Sequence, residues 1–342
     1  MKKLRILAVL FLVFLVPVGG GYVYLQQQLR VPHAAASAGK AFEIPSGLRA
    51  RQVLKLLHEQ DIIADENLAL VYLALSGNRK ALKAGEYLFE KPMTIPEVIE
   101  RLSSGAVYLH RFRVPEGLTV AEIGGLWETQ GFGKAEEFAS AAAGSGSLVK
   151  DLAGDENASL EGYLFPETYS FPLRTTARKA IEAMVARFRV VLGQIKKQAP
   201  ANNGPLSDRE ILILASLVEE EARLDDERPL VASVFMNRIK QKGLLQCDPT
   251  VVYALERANR YRGRLLRADL KFDSPYNTYL YAGLPPGPIS NPGRRSLEAA
   301  AKPASSPYYY FVRTTDGRHT FSETIAAHNR AVAAYRAMVR GK

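Results

Sequence analysis

The 342-residue chain reads as an α+β protein: an N-terminal transmembrane helix, a small mixed subdomain, then a larger α+β domain. Three observations predict this. An uncharged run, Ile6 to Leu25, follows Lys2, Lys3 and Arg5. A motif of short strand, Pro-x-Gly turn and amphipathic helix occurs twice. Beyond residue 200, apolar helical segments alternate with loops rich in Pro and Gly. A composition 47% hydrophobic and 23% charged is that of a globular chain long enough for two or three cores.

Twenty mostly apolar residues at a helical rise just span a bilayer core. Basic residues ahead of the run put the N-terminus in the cytoplasm and the remainder outside, the arrangement of a single-pass inner-membrane protein. Residues 1–30 are therefore expected to be the cytoplasmic end and anchor, and 31–41 a tether. Small-x-small triplets at Ala34–Ala36 and Ala36–Ala38 leave a cleaved signal peptide as the other reading. A net charge of +10 calls for an anionic partner, either a membrane or a polymer. The basic residues are scattered and form no RNA-binding signature, which disfavours nucleic acid. Cys247 is the only cysteine, so no intrachain disulfide forms, and it reads as a small buried hydrophobe.

The repeat comprises FEIPSGLRARQVLKLLHEQDI (Phe42–Ile62) and FRVPEGLTVAEIGGLWETQGF (Phe112–Phe132), seventy residues apart. Phe, Pro, Gly, Leu and Gln coincide, and Trp127 falls where Leu57 does, a core position. Between the copies, Gly85–Phe89 reads as a strand, and Thr94-Ile95-Pro96-Glu97 opens a capped helix. These define a subdomain over 42–110 and a connecting region over 111–199. The latter holds GYLFPETYSF (Gly162–Phe171) and a helix carrying Ile181, Met184, Val185 and Phe188. PANNGPL, over 200–206, reads as a linker to a core domain over 207–342, with strands expected at Thr278–Tyr281 and Tyr308–Val312.

No HExxH, cysteine pair or histidine cluster suggests a metal. No P-loop, GxGxxG or GxSxG suggests nucleotide or serine-nucleophile chemistry, so no cofactor is called for. What remains is SDREILILASLVEEEAR, Ser207–Arg223, a capped helix that is apolar for two turns and then presents three carboxylates. An acid at the end of a buried helix can have its pKa raised and stay a proton donor near neutrality. Glu219, Glu220 and Glu221 stand about 100° apart, so they face different directions. Glu219 leans over Ala215 and Ser216, small residues that leave room for a groove. The alternative for Glu219 is an exposed i,i+4 ion pair with Arg223.

ILILASLVEEEAR is followed in order by VASVFMNRI, LLQCDPTVVYAL, SPYNTYLYAGLPPGPISNPG and HTFSETIAAHN, with GYLFPETY upstream. These blocks, spread over most of the chain beyond residue 160, resemble the endolytic murein (peptidoglycan) transglycosylase family, the YceG-like proteins. The resemblance implies a LysM-like subdomain ahead of a YceG-like catalytic domain, and a catalytic glutamate at Glu219. It implies substrate contacts at Gln246, Asp248, Tyr276, Asn277 and Tyr279. The substrate would be peptidoglycan glycan strands, and the work would lie near peptidoglycan synthases at the inner membrane. Cys247 departs from the small polar residue common at that place in the family.

In such an enzyme the muramic acid's own C6 hydroxyl attacks C1, so one glutamate serves as acid and then base. A hydrolase with Asp248 as second carboxylate is the enzymatic rival. An anchored, non-enzymatic glycan-binding scaffold is the other.

Overall fold

The computed structural model describes residues 2–33, 39–76, 81–198 and 206–340. Positions 34–38 of the expected tether, with both small-x-small triplets in whole or part, lie outside the described residues, as do positions 200–205 of the expected linker. The chain divides into two compact units, Met1–His110 with Ser170–Arg174, and Arg111–Tyr169 with Thr175–Lys342.

The first unit opens with α1 (Lys2–Leu29), which carries Pro17 internally. Side chains on this helix are described from Val16 onward, and Val16, Val18, Tyr22, Val23 and Tyr24 are exposed. Among the described residues no helix is long and apolar enough to cross a membrane. Next come β1 (Ala41–Ile44), α2 (Ala50–Glu59), α3 (Glu66–Leu75), β2 (Gly85–Leu88) and α4 (Ile95–Ser104). β1 and β2 are antiparallel, with Ala41 opposite Leu88 and Ile44 opposite Gly85. Ile44, Leu54, Leu57, Tyr87, Val98 and Leu102 form the core, which Leu29 from the last turn of α1 joins. The described ends of the expected tether are not free. His33 and Met93 exchange backbone hydrogen bonds of 2.9 and 3.0 Å, and Gly39 N–H donates to the Phe89 carbonyl.

β3 (His110–Arg113) and β4 (Thr168–Phe171) have residues in both units, and the second unit contains α5 (Val120–Thr129), α6 (Ala135–Ala143) and the single turn α7 (Lys150–Ala153). It continues through α8 (Ala177–Gln198), α9 (Asp208–Glu221), α10 (Arg228–Lys240), α11 (Asp248–Arg257) and α12 (Arg294–Ala301). The antiparallel hairpin β5 (Tyr310–Arg313) and β6 (His319–Ser322) and then α13 (Ile325–Arg340) complete it. α8 packs on α6 and α12, so the region before position 200 and the region after it share one unit.

The repeated motif has the same backbone in both copies. Gly47 and Gly117 occupy the left-handed region at φ 85° and 82°, which an L side chain would resist. Both helices end at a Gln, and the residue two beyond it donates back to the carbonyl at Leu57 or Trp127. Trp127 is buried against Phe112, 5.2 Å away and edge-on, and stacks on Phe132 at 4.9 Å.

The strand expected at Thr278–Tyr281 is a turn. Leu280 and Tyr281 N–H both donate to the Asn277 carbonyl at 3.0 Å, which coils the segment and leaves it no partner ladder.

Candidate active site

The site is built on α9. Ser207 caps it: its hydroxyl accepts from Glu210 N–H at 3.3 Å, and the Glu210 carboxylate accepts from Ser207 N–H at 2.7 Å. Leu212 through Val218 are all buried, so the helix is a central post packed on every side. Ala222 is extended, which ends the helix at Glu221 and leaves the three glutamates on its last turn. Ser216 donates to the Ile213 carbonyl at 2.7 Å and accepts from Ile289 N–H at 3.1 Å, tying the 284–293 loop to the post.

Glu219 is held by two hydrogen bonds. Its Oε1 accepts from Arg228 at 3.0 Å and its Oε2 from Gly293 N–H at 2.8 Å, with both charged side chains 7% exposed. α12, with its run of alanines, packs directly on α9. Arg228 also bonds Ser296 and Asp225. Arg223, the cation of the alternative i,i+4 pair, lines a cavity with Glu220 and Glu221. Glu116 covers Gly293, where any side chain would collide with it, and burial followed by the Glu219 charge pushes its carboxyl up.

Glu221 stands two positions beyond Glu219, at the end of α9. It lines a cavity of about 400 Å³ together with Gln246, Asp248, Tyr279, Arg238 and His319. Burial pushes its carboxyl up to about 7. The Cys247 thiol and Arg238 oppose that shift, and Asp248 and Glu220 add to it. Glu220 lines the same cavity and is partly open to solvent. Loss of hydration raises its carboxyl to about 7 as well, the nearby Ser290 hydroxyl pulling down and Glu219 pushing up. At neutral pH a carboxyl near 7 retains a large protonated fraction, the state required of a general acid.

Of the five expected substrate contacts, three converge on this cavity. Gln246 reaches it from a left-handed backbone, φ 48°, held by its N–H to the Thr278 carbonyl at 3.1 Å. Asp248 accepts from the Tyr279 hydroxyl at 2.5 Å across the cavity wall. Tyr276 and Asn277 are placed elsewhere. Tyr276 packs on Tyr253, ring centroids 5.0 Å apart, beneath Arg257. Asn277 is fully buried and donates to the Leu270 and Phe272 carbonyls at 3.1 and 2.7 Å while accepting from Tyr279 N–H. Its polar atoms are spent holding the loop that carries Tyr279. Cys247 is buried beside Glu221, and burial raises its thiol well above the ordinary range, so it is an inert wall residue.

Sequence reasoning missed Arg238, Glu227 and the orientation of His319. The His319 ring bonds Glu227 through Nδ1 at 2.8 Å, both side chains nearly inaccessible. The two are 92 positions apart and no local pattern links them.

An acid held near neutrality in a polar, tyrosine-walled cavity can give a proton to a polar substrate. The scaffold and this cavity together define an α+β protein with a polar cavity walled by carboxyls and tyrosines. The chain belongs to the YceG-like family, whose model matches residues 42–334. It is 34% identical over 332 residues to a Bacillus subtilis protein named endolytic murein transglycosylase, covering 93% of this chain and 91% of that one. A Streptococcus pneumoniae protein of the same name is 30% identical over 94% of this chain and 64% of its own length. A crystal structure of a yceG-like protein from Listeria monocytogenes aligns with a TM-score of 0.58 at 30% identity, over 86% of this chain and all of that one.

Proposed function

We propose that this protein is a lytic transglycosylase of peptidoglycan that cuts glycan strands internally at the β-1,4 bond between N-acetylmuramic acid and N-acetylglucosamine. Glu221 is the acid in this reading. The observation that carries it is the convergence of a carboxyl raised to about 7 with Gln246, Asp248 and Tyr279 in one cavity. Glu221 protonates the leaving oxygen as an oxocarbenium-like centre develops at C1 of the muramic residue. It then takes the proton of that residue's C6 hydroxyl, which closes on C1 to give a 1,6-anhydro end. The nucleophile is tethered to the reacting carbon, so no activated water is needed. Tyr279 and Gln246 offer the hydrogen bonds that orient hydroxyl and acetamido groups.

Asp248 supports a second reading. Its charge contributes to the rise at Glu221, so the cavity holds a second carboxylate. A hydrolase would use it to activate water.

The uncharged run Ile6–Leu25 and the exposed apolar residues on the described part of α1 support a membrane anchor that leaves both units outside the cytoplasm. The order β1–α2–α3–β2, with both helices on one antiparallel pair, supports a LysM-like first unit that grips the strand.

The test is cleavage of purified glycan strands by the wild type and by Glu219→Gln, Glu220→Gln and Glu221→Gln, with the ends identified by mass. Anhydro ends from the wild type and their loss in Glu221→Gln alone are expected. Reducing muramic ends would move the assignment to the hydrolase, and full activity of Glu221→Gln would remove Glu221 as the acid.

A further inference from the structure

Of two more cavities of the second unit, the smaller shares walls with the acid cavity and the larger with the smaller. One of about 290 Å³ has Glu220 and Asp248 in common with the acid cavity. Another of about 510 Å³ shares Thr119, Glu122, Tyr253 and Glu256 with that middle one. The three form a continuous trough that leads away from Glu221.

We propose that the far cavity seats the stem peptide borne by the muramic residues of the substrate, a short chain with alanine methyls, free carboxylates and an amine-bearing side chain. This rests on the reading of the trough as the path of a glycan strand. The cavity floor is made of Val120, Ala121, Ala139, Ala142, Ala143 and Leu160. Side chains this small leave room for methyl groups on a backbone rather than for a stacked sugar ring, which favours an aromatic platform.

The walls carry both signs of charge. Glu122 and Glu256 stand on one side, and burial followed by the Glu122 charge raises the Glu256 carboxyl. An ammonium group in this cavity would lie between two carboxylates that line it. Arg257 lies 5.8 Å from the Tyr253 centroid and 5.2 Å from that of Tyr276, and forms no ion pair among the described residues. It is also a hydrogen-bond partner of Tyr276, and it lines the cavity, where it can meet a peptide carboxylate. A strand stripped of peptide brings a lactyl carboxylate but no ammonium, so the paired charges select the peptide.

The experiment measures binding of a soluble muramyl pentapeptide with a free side-chain amine to the full chain, by calorimetry. Ala139→Trp and Ala143→Trp are the variants, because both alanines lie on the exposed side of α6 and line only the far cavity. Binding by the wild type, at least tenfold weaker in both variants and about tenfold weaker for the amine-acetylated ligand, is expected. Equal binding by all three proteins, or none by the wild type, overturns the peptide site and leaves the cleavage reading standing. Peptide binding that responds as expected while peptide-free and peptide-bearing strands both stay intact supports the site and overturns only the cleavage reading.

Discussion

Glu219 and Arg228 form a buried ion pair at 3.0 Å on the side of α9 away from the acid cavity. Breaking such a pair by removing one member leaves a desolvated charge and costs roughly 3–5 kcal/mol. Glu219→Ala should lower stability in urea by about that amount. Glu219→Met with Arg228→Met should recover most of the loss, since neither charge is then stranded. Cleavage per folded molecule should fall only severalfold in Glu219→Gln. A loss of a hundredfold or more with unchanged stability would return the acid to Glu219.

Glu221 predicts the alkaline limb of the activity profile. With its carboxyl at about 7, the protonated fraction falls tenfold for each pH unit well above that value, and kcat/KM should fall with it. The Glu220 charge helps hold the proton on Glu221. Glu220→Gln removes that repulsion, so its limb should move to lower pH. A limb that stays in place, measured on the same glycan strands, would show that Glu220 does not act on the acid.

The signals legible in the sequence were local ones. Capping boxes at Thr94, Thr119 and Ser207 open α4, α5 and α9, because a side chain three positions away satisfies the exposed N–H groups. The repeated Pro-x-Gly turn was legible because left-handed φ at Gly47 and Gly117 demands glycine. Which glutamate reaches the cavity was not legible. It depends on long-range contacts such as the bond from Gly293 N–H to Glu219, made 74 positions away. The Thr278–Tyr281 run has strand-like composition, but Asn277 coils it from within, and side chain–backbone bonds of that kind leave no periodicity to read.

Asn277 should behave as a loop support rather than a sugar contact. Asn277→Ala strands the Leu270 and Phe272 carbonyls in a buried site. Each unsatisfied group costs about 1–3 kcal/mol, so stability should fall measurably in thermal melts. Asn277→Asp should be worse, since a carboxylate would face two carbonyl oxygens. Because Tyr279 hangs on the same loop, activity should fall with stability and recover in part on cooling. A rise in KM with an unchanged melt would make Asn277 a direct substrate ligand instead.

Glu161 sets a pH dependence of stability that is separate from activity. It is buried, its Oε1 accepting from Val120 N–H at 3.0 Å and Asn291 Nδ2 at 3.1 Å, and its Oε2 from the Tyr253 hydroxyl at 3.3 Å. Burial pushes its carboxyl up from 4.5 to about 7 despite those donors. The folded protein therefore keeps this proton where the unfolded chain has released it. The stabilising contribution is complete below pH 4.5 and is lost progressively as pH rises through 7, a change of about 3 kcal/mol. Glu161→Gln can still accept from Val120 and Asn291 through its amide oxygen and donate to Tyr253, and it never ionises. In urea titrations at pH 4.5 and pH 8, the variant should gain on the wild type by about 3 kcal/mol across that interval, becoming the more stable protein at the higher pH. A constant difference between the two proteins would mean that Glu161 ionises as it does in the unfolded chain.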